Sequence, residues 1–313
     1  MRKKHIAVIG LGGVGGYFGF KINQANEINK QHQISFIVRG ETYEKVKQDG
    51  LTLFSPEHPI CVTKPDAVLR SIAELRSPDL VLICVKEYDL ENVCNQLVGV
   101  ITEDTIILPM MNGVDIYERI KRSISNNIIL PSCVYVASHI KEKGIVEHKG
   151  KTGKLIFGKD PEYFTADINW VIDLMREAAI DFDFKENSLP DIWTKFIFIA
   201  SFGLVTAKYN SSIGAVCLEE QQKKEAAQIM EEIKLIAERK GIYLGENIIP
   251  KTFEKASGFP PETPTSLQLD VNSGKKSNEL ELFAGAIIRY GPTLKVETPF
   301  TKKMYEQIQG THK

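Results

Sequence analysis

The sequence predicts an α/β protein, with a doubly wound parallel-sheet domain over residues 1–186 and a mostly α-helical domain over residues 187–313. Three observations carry this reading. Short β-branched apolar runs alternate with helix-compatible segments through the first half, the pattern of repeated βα units. A glycine-rich turn joins the first of those runs to the first helix. Beyond about Glu186, long segments with few breakers replace the alternation and no strand pattern recurs.

Taken in order, Ile6–Ile9, Gln33–Val38, Leu80–Val85, Thr105–Leu108 and Ile128–Ala137 read as buried strands, with Tyr88–Val98 as one of the intervening helices. Ile145–Phe157 reads as two short strands around a Gly-Lys-Thr-Gly turn, an antiparallel edge hairpin. A helix over Glu162–Ala179 and a strand over Ile180–Phe184 close the domain. The second half reads as helices over Asn187–Tyr209, Leu218–Lys240 and Glu279–Tyr290, a Pro-rich loop at 258–266, and a last helix after Pro299.

Composition narrows the function classes. Of 313 residues, 43% are hydrophobic and 25% charged, as in ordinary soluble domains. A net charge of −1 gives no electrostatic basis for binding nucleic acid or an anionic membrane. The basic start MRKKH runs into a strand broken by glycine at position 10, unlike a signal peptide. The longest uncharged apolar stretch, Phe196–Ala207, is 12 residues, too short to cross a bilayer. Five cysteines without a CxxC pair and six scattered histidines argue against a disulfide framework and a metal site. A reducing cytoplasm is the expected compartment, and a homodimer is the oligomer considered.

The chemistry starts at Gly10-Leu11-Gly12-Gly13-Val14-Gly15, placed between a strand and a helix. Gly10 permits the tight turn, Gly12 lets a diphosphate lie against the backbone, and Gly15 lets helix and strand pack closely. The free N–H groups and dipole of the helix then face the phosphates. This predicts a Rossmann-type dinucleotide site. An NAD-preferring site usually places Asp or Glu at the end of the second strand, to hold the ribose 2′-OH. Here Arg39 stands there, with Lys45 and Lys47 close behind, and a guanidinium suits a 2′-phosphate. NADP(H) is therefore the expected cofactor.

Lys86 follows LVLICV, and Asn112-Gly113 follows the strand ending near Leu108. Both lie at carboxyl ends of parallel strands, where open α/β sheets bind ligands. Lys195 sits early in a helix and borders the 12-residue uncharged run, so it is partly desolvated and suited to proton transfer. A lysine snorkelling at a domain surface would show the same pattern. The active site is expected where the two domains meet.

Together these residues resemble the ketopantoate reductases (2-dehydropantoate 2-reductases) over nearly the whole chain. The resemblance is carried by the glycine turn, Arg39-Gly40, Val85-Lys86, Met111-Asn112-Gly113, Gly144-Ile-Val-Glu-His148, Trp193-Thr-Lys195, and Thr265-Ser266-Leu-Gln268 with Asp270. It implies Lys195 as catalytic acid, assisted by Glu279. It also implies Asn112 at the junction of cofactor and substrate, and Ser266 against the substrate. The implied reaction is NADPH-dependent reduction of a small 2-oxo acid, ketopantoate first, in pantothenate and coenzyme A biosynthesis.

Two departures from the family pattern stand out. Ile199 and Gly203 replace asparagines expected one and two turns beyond Lys195 on its own face. Asn278 occupies the expected glutamate position counted from Asp270, leaving Glu279 one residue later and Glu281 as a second candidate. With Lys195, Ile199 and Gly203 on one wall, the pocket is expected to favour a bulkier or less polar 2-oxo acid, or to turn ketopantoate over weakly. A non-catalytic NADP-binding sensor and a β-hydroxyacid or glycerol-phosphate dehydrogenase relative are the other readings. The latter's Lys-x-x-x-Asn pairing is not supplied by Lys195/Ile199.

Overall fold

The computed structural model describes residues 2–275 and 277–310. The chain forms two compact units, Met1–Asn112 with Ile116–Ser188, and Gly113–Asp115 with Leu189–Lys313. In the first unit the order is β1 (Lys4–Ile9), α1 (Gly13–Asn29), β2 (His32–Ile37), α2 (Gly40–Asp49), β3 (Leu51–Ser55), β4 (His58–Thr63), β5 (Ala67–Leu69), β6 (Leu80–Ile83), α3 (Leu90–Leu97) and β7 (Ile106–Pro109). There follow α4 (Ile116–Ser123), β8 (Ser132–Tyr135), β9 (Ser138–Glu142), β10 (Ile145–His148), β11 (Lys154–Gly158), α5 (Asn169–Glu177) and β12 (Asp181–Lys185).

The principal sheet is wholly parallel, in the order β5-β2-β1-β6-β7. Its central strand carries Ile6, Ala7, Val8 and Ile9, all buried, as expected of a strand covered on both faces. The expected strand 128–137 divides at Pro131, which has no N–H to give a ladder. Ile128 and Leu130 bond to Ile107 at the edge of this sheet, whereas β8 joins a separate sheet, β12-β11-β8.

The expected hairpin over 145–157 does not form. Strand β10 pairs antiparallel with β9 and parallel with β3, within a sheet β4-β3-β10-β9, and β11 belongs to the third sheet. The turn that makes a hairpin is Lys143-Gly144, with Gly144 at φ +77°. The Gly-Lys-Thr-Gly segment instead carries the chain between sheets, and the Gly153 N–H donates to Tyr17 Oη at 3.0 Å. The expected helix 162–179 is confined to α5. Before it, the buried Asp160 carboxylate accepts bonds from the Glu162 and Ile129 N–H groups and from Tyr117 Oη, which holds the chain in a turn.

Helix α1 is enclosed almost all round, because the second sheet packs on the side away from β1. Tyr17 Oη and Lys21 Nζ donate to the Glu57 carboxylate at 2.5 and 2.9 Å. His148, buried on β10, bonds Ser55 Oγ through Nδ1 and the Lys151 carbonyl through Nε2, both at 2.9 Å. The Gly144–His148 motif is thus a brace for the β3–β4 turn that holds α1. At the far end, Asn26 ends the helix by exchanging side-chain bonds with the His32 N–H and carbonyl.

The second unit contains α6 (Leu189–Tyr209), α7 (Ile213–Leu218), α8 (Glu220–Arg239), α9 (Ile248–Ser257), α10 (Ser266–Asn272), a π-helical turn (Glu281–Gly285), α11 (Ala286–Leu294) and α12 (Pro299–Gly310). Helix α6 packs against α8, α10 and α12. It is long and apolar enough to cross a membrane, but most of it is buried, as in the core helix of a folded domain. The expected helix 218–240 starts only at Glu220, because extended backbone at Glu219 (ψ 117°) separates it from α7.

Candidate active site

The first unit gathers its loops at the carboxyl ends of β1, β2, β6 and β7. Sheet order places β2 on one side of β1 and β6 on the other, so the chain changes direction across the sheet at β1, the switch point where such folds open a crevice. The loops are laced together there. The Gly10 N–H donates to Ile37 O at 3.0 Å, Cys84 N–H to Ile9 O at 2.9 Å, and Met110 N–H to Ile83 O at 2.9 Å.

Each glycine of the turn has its own reason. Gly10 has φ +89°, and a Cβ there would lie 2.8 Å from the Cys84 carbonyl oxygen. A Cβ on Gly15 would lie 1.9 Å from the Gly10 carbonyl oxygen, so helix and turn touch there. Gly12 differs, because a Cβ there would meet nothing within 4 Å. Gly12 is also the N-cap of α1 and supplies no side-chain cap, so the first-turn N–H groups lack both an intrahelical acceptor and a capping oxygen. Leu11 is buried beneath the turn, whereas Val14 is only partly buried. An open face at Gly12 above uncapped N–H groups fits a dinucleotide diphosphate, which Gly10–Gly15 would hold.

Arg39 is the N-cap residue of α2, and its side chain is 59% exposed. Its guanidinium lies 4.0 Å from Asp89, a loose pair open to water. No carboxylate stands at the end of β2 itself, and Glu41, one residue into α2, pairs with Lys143 at 4.0 Å. Lys45 and Lys47 are engaged locally, Lys45 with Asp49 and Lys47 with Tyr43 Oη. Lys86 is exposed just beyond β6, and Asn112 is half-buried beyond β7. The structure thus brings Gly10–Gly15, Arg39, Lys86 and Asn112 to one edge of one sheet.

The second unit holds the remaining candidates. Lys195 lies in the second turn of α6 and is only 8% exposed, followed by the apolar run that makes the core. Burying an ammonium is costly unless it is compensated, so such a lysine is rarely incidental. Glu279 is 4% exposed and lies two residues before the first residue of the π-helical turn, a feature often found at functional sites. Glu281 is instead half-exposed and occupied, bonding Arg289 at 3.3 Å and the Tyr305 hydroxyl. Arg289 also pairs with the buried Asp115 at 3.0 Å. Ser266 is exposed in the first turn of α10, whose capping box is formed by Thr265 and Gln268.

The expected wall of Lys195, Ile199 and Gly203 requires a correction at its third member. Gly203 is buried, and a Cβ there would touch the Phe283 ring at 3.6 Å and Leu267 at 3.7 Å. The absent side chain lets Phe283 close against α6. Ile199 remains partly exposed. Sequence reasoning also passed over Ser138, whose backbone crowds Gly13. A serine in a short polar strand carries no periodicity signal, and only the packing of β9 on α1 reveals it. Among the described residues, no group of His, Cys, Asp and Glu is placed to hold a metal ion.

A glycine turn at the switch point of a parallel sheet, in a chain whose helical unit buries a lysine, suits a dinucleotide-dependent enzyme. Residues 6–162 match the family model for ketopantoate reductase PanE/ApbA, and residues 187–312 match that for its C-terminal domain. The chain belongs to the ketopantoate reductase family. It is 23% identical over 302 residues to the uncharacterized oxidoreductase YkpB of Bacillus subtilis (strain 168), covering 96% of this chain and 97% of that protein. The crystal structure of 2-dehydropantoate 2-reductase from Methylococcus capsulatus superposes with a TM-score of 0.85 at 26% identity, covering 98% and 96% of the two chains. The ternary structure of D-mandelate dehydrogenase with NADH and anilino(oxo)acetate has a TM-score of 0.83 at 21% identity, covering 98% of both chains.

Proposed function

We propose that the protein reduces the ketone of a 2-oxo acid with NADPH, with ketopantoate to pantoate as the first candidate reaction. The observation that carries this reading is the burial of Lys195, a single cation at the head of an apolar helix, in a chain whose first unit presents a dinucleotide turn. When bound, the reduced nicotinamide supplies a hydride to the carbonyl carbon. Negative charge then grows on the carbonyl oxygen, where the Lys195 ammonium stabilises it and delivers a proton from Nζ, completing the hydroxyl. Glu279 orients Lys195 or holds a substrate hydroxyl, Asn112 fixes the carbonyl, and Ser266 helps to hold the carboxylate. Arg39 reads the 2′-phosphate, and Lys86 adds positive charge at the cofactor edge.

A second reading concerns the substrate. Ile199 presents hydrocarbon, and the Phe283 ring closes on Gly203. The Ile199 hydrocarbon favours a less polar 2-oxo acid than ketopantoate, and the D-mandelate dehydrogenase neighbour is solved with NADH and anilino(oxo)acetate.

The test is NADPH oxidation with ketopantoate and a panel of aliphatic and aromatic 2-oxo acids, run beside Lys195→Ala. Turnover of one of these acids, with kcat reduced roughly 10²–10⁴-fold in the variant, is the expected result. Cofactor binding without turnover of any 2-oxo acid would replace the reductase by a sensor, and near-normal turnover in the variant would remove Lys195 from the chemistry.

A further inference from the structure

Ser138 opens β9 where the second sheet crosses the first turn of α1. The approach is close, because a Cβ on Gly13 would sit 2.2 Å from the Ser138 carbonyl oxygen and 3.1 Å from the His139 nitrogen. Gly13 therefore owes its identity to this strand, which places Ser138 against the residue that follows the open Gly12. The Ser138 hydroxyl is buried and has no hydrogen-bond partner. Native proteins rarely leave a buried hydroxyl unpaired, and each such group asks for an explanation. The nearby helix start is itself a set of unpaired donors, which cannot satisfy the hydroxyl's hydrogen. A phosphate oxygen held at that turn would accept it, and a rotation about χ1 is the only motion a serine needs to redirect its hydroxyl.

We propose that Ser138 is a further ligand of the cofactor diphosphate, its hydroxyl donating to a phosphate oxygen beside the first turn of α1. The inference rests on the reading of this turn as an NADP(H) site and adds a side-chain donor to a cradle otherwise made of backbone. It also assigns the second sheet a part in binding, since β9 brings the hydroxyl there.

A hydroxyl without a protein partner contributes no bond to the free protein, so a ligand role and a packing role predict opposite results. In Ser138→Ala, the thermal midpoint of the cofactor-free protein should stay level or rise. NADPH affinity, followed by nucleotide fluorescence, should fall by roughly 10- to 100-fold, the weight of a hydrogen bond to a charged group. The nicotinamide-free analogue 2′-phospho-ADP-ribose, which keeps the diphosphate, should lose the same factor by calorimetry. Adenosine 2′-monophosphate, which carries neither phosphate of the diphosphate, should bind both proteins alike. Unchanged NADPH affinity overturns the proposal and leaves the hydroxyl a packing defect. A lowered midpoint in the free protein assigns Ser138 to structure instead. A loss confined to NADPH, absent with 2′-phospho-ADP-ribose, moves the contact to the nicotinamide end and also overturns it. Failure of the wild type to bind NADPH at all would defeat the cofactor reading itself, a result separate from equal binding by the two proteins.

Discussion

Gly15 stands so close to Gly10 that a Cβ on the first would lie 1.9 Å from the carbonyl oxygen of the second and 2.7 Å from Cys84 Cβ. The glycine turn therefore contains two kinds of glycine, those that the protein's own packing requires and one that it does not. Gly12 has φ −72°, which any L-residue adopts, and no neighbour within reach of a Cβ.

This contrast gives the first prediction. Gly15→Ala forces helix α1 off the turn and should cost about 1–3 kcal/mol or more, the usual range for overpacking. Gly12→Ala should leave the unfolding midpoint unchanged while sharply weakening NADPH binding, because its methyl group occupies the diphosphate's place. Paired urea unfolding and cofactor titration read both. A Gly12→Ala protein that binds NADPH normally would show that the diphosphate lies elsewhere.

What the sequence made legible were features with local causes. The buried runs Ile6–Ile9 and Leu80–Ile83 announce parallel strands because both faces are covered, and the polarity break at Lys195 marks the head of α6. The second sheet was hidden because its strands are short, partly exposed and paired non-locally, as β10 with β3. The hairpin expected over 145–157 failed on the same ground, since a glycine-rich turn between two strand-like runs does not say which partners they take. The placement of the glycine turn, Arg39, Lys86 and Asn112 at carboxyl ends of parallel strands was legible in residue types and motif order. Gly203 was not, because nothing local shows that Phe283 would fill its place.

The second prediction concerns cofactor choice. Arg39 is largely exposed and, among the described residues, is held by Asp89 at 4.0 Å, so the free protein loses little when it is removed. Arg39→Ala should weaken NADPH binding by about 1–3 kcal/mol, the loss of a charge-assisted hydrogen bond, and leave NADH binding nearly unchanged. Equal losses for the two nucleotides would show that the guanidinium does not read the 2′-phosphate.

A third prediction follows from Asp79, which fastens the start of β1 to the segment before β6. It accepts the His5 N–H at 2.8 Å and Lys4 Nζ at 3.1 Å, and pairs with Arg2. Burial alone would raise its carboxyl, but the His5 N–H and the two cations outweigh it and hold it below the usual carboxylate range. A depressed folded-state value means stabilisation that is complete above the unfolded value of about 3.9 and lost as pH falls through the folded one. Asp79→Asn should therefore cost about 1–2 kcal/mol at neutral pH. The gap between variant and wild type should close as pH drops below about 4. Urea midpoints across a pH series measure this, and a gap that widens in acid contradicts it.

The last prediction concerns the wall beside Lys195. Ile199 lies one turn beyond the lysine on the same face and remains partly exposed, whereas Gly203 is covered by Phe283 and Leu267. The two positions should therefore respond differently to an amide. At Ile199, asparagine adds a donor and an acceptor where a polar substrate could meet them. A new hydrogen bond is worth about 0.5–1.5 kcal/mol, so Ile199→Asn should lower KM for ketopantoate by roughly 2- to 10-fold. The same change should raise KM for aromatic 2-oxo acids, which gain from the hydrocarbon. At Gly203, alanine should be tolerated, since its Cβ meets Phe283 at an ordinary 3.6 Å. Asparagine must displace that ring and bury its amide among apolar groups, so Gly203→Asn should lose stability by about 1–3 kcal/mol with no gain in ketopantoate affinity. Steady-state kinetics on the 2-oxo acid panel, with unfolding curves for each variant, separates specificity from stability. If the wild type already turns ketopantoate over with micromolar KM and Ile199→Asn improves nothing, then the apolar wall does not set substrate choice.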